Sequence, residues 1–238
     1  MTEAPVRRVI VAIDTGGGEL RVLRYAVSIA KDLGAQIEGI FIEDVDLLAW
    51  AAQPFARRFG AGAVGKPLSP GDIEAEWRGV ARALRRALDV EAQSARIEAR
   101  FAVVRTRPRD VVRALEADVT VVAWDGRPPA QDDLGPVRVL YDGSEASERA
   151  LAAALRVGTG PLEVFVDAGA EARAEVQAED LAARLPRGSI VRILAEPQGL
   201  LHAARERPGG ALFVPIGHAL VAELGRGERL ACTVAIVK

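Results

Sequence analysis

The sequence predicts an α/β protein built as two tandem units with parallel sheets, the first truncated after its fourth strand. Three observations carry this. Short apolar runs alternate with helical patterns along the chain, the signature of parallel strands joined by right-handed crossovers. One opening recurs: Val9–Asp14 followed by Thr15-Gly16-Gly17-Gly18 and a helical pattern, then Val137–Asp142 followed by Gly143-Ser144 and another. Finally, 21 residues follow Gly217, enough for a helix and a last strand, whereas only ten separate Gly126 from Val137.

In the first unit, strands are expected at 8–13, 37–42, 97–104 and 119–123, as continuous apolar or β-branched runs suited to a sheet covered on both faces. Leu20, Leu23, Val27 and Ala30 set an apolar stripe on the first helix, with Gly34 as its C-terminal cap. The clearest helix spans 70–88: Ile73, Trp77, Val80, Ala81, Leu84 and Leu88 fall at helical spacing, and Ser69-Pro70-Gly71-Asp72 reads as a capping box with proline in the first turn. Between them, Asp44 to Ser69 is too long for a structureless loop; its Leu47, Leu48, Trp50, Phe55 and Phe59 call for a short helix, acting as a lid or subunit contact or covering the core. The second unit is expected to have strands at 137–141, 162–166, 190–194, 211–216 and 233–237, and helices at 145–157, 171–185 and 198–206. Domain boundaries follow: 1–127, a proline-rich linker 128–136, and 137–238.

Composition excludes several classes. Half of the 238 residues are hydrophobic and 27% are charged, which rules out disorder as the main state. A net charge of −2 and 5% aromatic residues speak against a nucleic-acid partner. The longest uncharged apolar runs, 47–52 and 150–155, are far short of the roughly 18 residues of a membrane span. The first residues carry no signal-peptide pattern, and a single cysteine, Cys232, fits a reducing compartment, so a cytoplasmic location is expected.

Val139-Leu140-Tyr141-Asp142-Gly143-Ser144-Glu145-Ala146-Ser147-Glu148-Arg149-Ala150-Leu151 resembles the opening of a universal stress protein (UspA-like) domain, in which a strand ends in Asp-Gly-Ser before a helix. Leu230-Ala231-Cys232-Thr233-Val234-Ala235-Ile236-Val237-Lys238 is similar to that family's closing strand, with Thr233 where a proline is usual. The resemblance implies the tandem form on a Rossmann-like scaffold and a stress-response or regulatory role. ATP-binding members carry G-x-x-G, about nine residues, then G-[ST] after the fourth strand, where backbone N–H groups cradle phosphates. Here Gly217-His218-Ala219-Leu220 supplies the first glycine but has leucine at the second, and Leu230-Ala231 stands in for G-[ST]. No cofactor is therefore expected, with an adenine nucleotide as the alternative. The ligand-binding candidates are Asp142, Gly143, Ser144, Gly217, His218 and Asp14, the two aspartates lying where α/β sheets place ligands. The alternative, which the residue type favours, is that each aspartate simply accepts N–H bonds at the turn into its helix.

No catalytic constellation emerges. His202 lies in a helical pattern, His218 has no paired nucleophile, Cys232 precedes a core strand, and their spacing gives no zinc motif. The expected function is regulation through protein interaction, not catalysis; the alternatives are a nucleotide sensor with a modified phosphate loop, and a small hydrolase or nucleotidyl transferase on the same scaffold. Residues 78–113 hold ten arginines against four acids, either a solvated helix side or a face for an anionic partner. The strand 233–237 either pairs with its copy in a homodimer or crosses to complete the first unit's sheet.

Overall fold

The computed structural model describes residues 6–13, 19–58, 65–108, 110–111, 117–123, 136–158, 160–167, 171–194, 210–224 and 232–238. In chain order the strands are β1 (Arg8–Ile13), β2 (Gln36–Asp44), β3 (Arg57–Arg58), β4 (Lys66–Pro67), β5 (Ala99–Thr106), β6 (Val119–Ala123), β7 (Val137–Tyr141), β8 (Leu162–Val166), β9 (Ile190–Ile193), β10 (Ala211–Pro215) and β11 (Thr233–Val237). The helices are α1 (Glu19–Leu33), α2 (Val45–Ala51), α3 (Pro70–Ala95), α4 (Glu145–Val157), α5 (Glu171–Arg184) and α6 (Ala219–Leu224). The expected helix 198–206 and the linker at 128–135 lie outside the described residues.

Nine strands form one sheet in the order β5-β2-β1-β6-β11-β10-β7-β8-β9. The first four repeat the arrangement β9-β8-β7-β10 of the second half, so each half opens from its central first strand toward both sides. Every pairing is parallel except β6 with β11, where Val119 faces Val237 and Ala123 faces Thr233. β11 is also paired in parallel with β10 along its length, Thr233 to Ala211 and Val237 to Pro215. Of the two uses expected for this strand, the internal crossover is the one seen. With both edges of β11 occupied, a homodimer would have to use another surface. Asp118, just before β6, joins the start of β1 to the residue after β11: its carboxylate accepts Arg7 N and Arg8 N at 2.8 and 3.0 Å, and its carbonyl accepts Lys238 N at 3.0 Å.

The central strands are buried on both faces, as their largely apolar runs require: every residue of β7, β8 and β10 is buried. One face packs under α1, α3, α4 and α5 through Leu23, Ile29, Trp77, Leu84, Leu88, Leu151 and Leu181. The other buries Ile10, Ile40, Leu140, Phe165, Leu212 and Ile236 with Leu220 of α6. Burial of each such large side chain contributes about 1.5–3 kcal/mol. Edge strands depart from this pattern: β5 alternates and leaves Val103 47% exposed, and β9 leaves Ile190 and Ile193 each 45% exposed.

Three local features differ from expectation. Leu20 is not part of the α1 stripe but 52% exposed; Val22, Leu23, Ala26, Val27, Ile29, Ala30 and Leu33 are among its buried residues. α3 runs about two turns further than the pattern suggested, because Ala92 continues the buried stripe, and it stops at Arg96 in the left-handed region at φ 58°. The capping box is present, Ser69 Oγ accepting Asp72 N at 3.3 Å and Asp72 Oδ2 accepting Ser69 N at 3.1 Å. Segment 45–58 is core cover at its base, with Ala51 buried and Leu47 and Leu48 packed on the core, while Trp50 and Phe55 stay exposed. Charged residues also enter the strands. Arg138 of β7 and Glu163 of β8 sit directly opposite each other, buried, with Arg138 Nε 3.4 Å from Glu163 Oε2; Arg192 Nε of β9 meets Glu163 Oε1 at 2.9 Å.

Candidate functional site

β7 leads to β8 on one side and has β10 on the other, so the strand order reverses at β7 and the crevice outside the carboxyl ends of β7 and β10 is where such a sheet places a ligand. Five of the predicted residues gather there: Asp142, Gly143 and Ser144 after β7, and Gly217 and His218 after β10. Asp14 lies outside the described residues.

The turn after β7 is built by local hydrogen bonds. Asp142 Oδ1 accepts Ser144 N at 2.9 Å. Ser144 is the N-cap of α4, its Oγ accepting Ser147 N at 3.1 Å and its carbonyl accepting Ser147 Oγ at 2.8 Å. Gly143 has φ 78°, and a Cβ there would lie 2.5 Å from Nε2 of Gln177 on α5. The left-handed conformation is what favours glycine there, since the amide is the far end of a flexible side chain that can move aside. Burial pushes the Asp142 carboxyl up, but the hydrogen bonds from Ser144 and Ser147 and the neighbouring His218 outweigh it and hold it below the usual carboxylate range.

Two residues that the sequence reading did not single out complete the mouth. Asp167 follows β8 as Asp142 follows β7, and its N–H donates to Tyr141 O at 2.8 Å. Its Oδ2 lies 2.8 Å from His218 Nε2. Gln177 reaches Gly143 from α5. The signal for Asp167 was present, an apolar strand ending in aspartate; nothing in the sequence placed Gln177.

His218 is buried and locked. Leu220 N donates to its Nδ1 at 3.1 Å, so Nδ1 is the acceptor and Nε2–H points to Asp167. Three further amides of the loop are also engaged: Ile216 N donates to Val237 O at 2.8 Å, His218 N to Pro215 O at 3.1 Å and Val221 N to His218 O at 3.0 Å. Leu220, at the position of the second loop glycine in the ATP-binding pattern, buries its side chain completely. Among the described residues, no arginine or lysine bonds to Asp142, Asp167 or His218, and no three His, Cys, Asp or Glu side chains are placed to hold a metal ion. Among the described residues, two carboxylates therefore face the crevice without a cation bonded to them.

Below the mouth a second network ties α4 to α5. Tyr141 Oη donates to Glu148 Oε1 at 2.5 Å, and Arg184 donates to both oxygens of Glu148, at 3.0 and 2.6 Å. Burial and the bond to Glu148 push the Tyr141 phenol up to about 12. The Arg184 hydrogen bonds hold Glu148 below its usual range.

No family model matches the sequence, and no curated protein is similar to it. Among solved structures, the chain is similar to a universal stress protein from Archaeoglobus fulgidus, at TM-score 0.54 and 14% identity over 97% of this chain and 96% of that one. It also aligns with a universal stress protein family member from Burkholderia pseudomallei, at TM-score 0.30 and 12% identity over 82% of this chain and 99% of that one. A third match is the cytoplasmic domain of a prokaryotic cation chloride cotransporter, at TM-score 0.43 and 9% identity over 97% of this chain and 95% of that one. The first establishes a likeness of fold; the other two superpose too loosely to carry argument. Among the described residues no helix is long and apolar enough to cross a membrane.

Proposed function

We propose that this chain is a stress-response or regulatory protein of the universal-stress type, acting in the cytoplasm by binding a protein partner rather than by turning over a substrate. The observation that carries this reading is the capture of Leu220 N–H by His218 Nδ1. A phosphate cradle works by aiming free backbone N–H groups at the anion. In this loop the amides of Ile216, His218, Leu220 and Val221 are spent on the protein itself. The mouth carries Asp142 and Asp167, which repel a triphosphate, and among the described residues no nucleophile is bonded to His218 to use it as a base. Titration calorimetry with ATP and magnesium is the test. No binding heat is expected, and native mass spectrometry is expected to find the purified chain without a nucleotide. A low-micromolar dissociation constant that disappears in Asp142→Ala overturns the reading and favours the second one, an adenine-nucleotide sensor, for which the ionised Asp142 at the strand-order reversal is the supporting observation.

A further inference from the structure

We propose that the outer face of α3 is a docking surface for an acidic segment of a partner protein, one with apolar side chains among its carboxylates; this deepens the interaction reading above and rests on it. Arg78, Arg82, Arg85 and Arg86 stand at i, i+4, i+7 and i+8, which puts all four on one face of the helix, and all four are exposed. Arg82 Nε and Arg86 Nε donate to the carbonyls of Arg78 and Arg82, at 3.1 and 3.2 Å. No carboxylate pairs with any of the four among the described residues, although acids are close at hand. Those acids are committed elsewhere: Glu74 to Arg105 at 2.9 Å, Glu91 to Arg24 at 2.8 Å, Glu76 to Arg58, and Asp72 to the helix cap. Only Asp89 shares the stripe. Like charges one turn apart repel, so the face holds an unrelieved positive field that an anionic partner relieves.

Beside the arginines runs a lane of exposed Gly79, Ala83 and Val90, with Val90 65% exposed. The opposite side of α3 is fixed in the core by Ile73, Trp77, Leu84 and Leu88, so the stripe is presented rigidly and the helix has no apolar face left to insert into a lipid layer. Arg78, Arg82 and Arg86 recur about every 6 Å along the axis. Same-side residues of an extended peptide recur about every 6–7 Å, so successive carboxylates meet successive guanidiniums. The apolar lane favours a protein segment over a bare phosphate backbone.

The test uses the intact chain and a fluorescein-labelled synthetic peptide alternating glutamate with valine, followed by anisotropy at low and physiological salt. Binding is expected, weakened about tenfold or more in Arg82→Glu/Arg86→Glu. Arg156→Glu/Arg187→Glu, which makes the same charge change at exposed positions elsewhere, is expected to bind as the parent does. Circular dichroism checks that both variants are folded. The proposal is overturned by no peptide binding at low salt, by equal losses in the two variants, or by tighter stripe-dependent binding to duplex DNA or phosphatidylserine vesicles. A chain that ignores both ATP and the peptide loses this surface but keeps the functional reading; one that binds ATP and also the peptide through the stripe does the reverse.

Discussion

His218 Nε2 lies 2.8 Å from Asp167 Oδ2, and through its other nitrogen the same ring accepts Leu220 N, so one buried imidazole joins the end of β8 to the first turn after β10. His218→Ala strands the Leu220 amide and the Asp167 carboxylate. The expected loss is about 1–3 kcal/mol, with faster exchange of the Leu220 amide proton. His218→Asn, whose side-chain oxygen can still accept from Leu220 but which is too short for Asp167, is expected to fall between the two. Thermal unfolding and amide hydrogen exchange read both effects; an Ala variant as stable as the parent refutes the bridging role.

β11 supplies a partner to both β10 and β6, so it is the seam between the halves of the sheet. Deleting residues 233–238 uncovers two strand edges and the apolar residues Val234, Ala235, Ile236 and Val237, all buried. The truncated chain is expected to aggregate and to lose cooperative unfolding, seen by light scattering and circular dichroism. A folded, monodisperse truncation product would show that the seam is dispensable.

Much of this arrangement was legible because central strands covered on both faces write themselves as largely apolar runs: β7 and β8 begin and end on Val, Ile, Leu or Tyr, and β1, β6 and β11 do so to within one residue. The short connection from Gly126 to Val137 likewise announced that the first half has no closing strand of its own. The end of α3 was not legible, since its stop is Arg96 in a left-handed conformation, where sequence offers neither glycine nor proline. Nor was the buried Arg138–Glu163 pair, because a charge inside a strand is explained only by the residue across from it, and register is a property of the fold. At the site, Asp142, Gly143 and His218 followed from strand ends, whereas Gln177 reaches Gly143 from a helix whose docking no local pattern encodes.

Two glycines separate conformational need from mere presence. At Gly210, φ is 77° and a Cβ would fall 2.0 Å from Pro136 O, the same carbonyl that accepts Ala211 N, so neither the backbone nor the space admits alanine. Gly210→Ala is expected to destabilise by about 3 kcal/mol or more. Gly79 lies inside α3 with nothing within 4 Å of an added Cβ, and Gly79→Ala is expected to stabilise by about 0.5–1 kcal/mol through helix propensity. Urea unfolding of the two variants side by side tests this; like signs would be wrong for one of them.

The alkaline limit of stability is set by protons that the fold holds more tightly than the unfolded chain does. Burial pushes the Cys232 thiol from 9.0 up to about 11, with Arg138 pulling the other way, and Tyr141 rises from 10.0 to about 12. A group whose pKa is raised on folding gives its full stabilisation below the unfolded value and loses it as pH climbs to the folded one. The thiol's share, up to about 3 kcal/mol, is therefore lost between about pH 9 and 11, and the phenol's between about pH 10 and 12. Cys232→Ala forfeits some packing, about 1 kcal/mol at pH 8, yet it has no proton to surrender and its stability is expected to hold nearly level from pH 8 to 10, where the parent's falls. Urea midpoints across that range decide the matter. Parallel declines in the two proteins would mean that the buried thiol is not what limits the fold in base, and would shift the cause to the tyrosines.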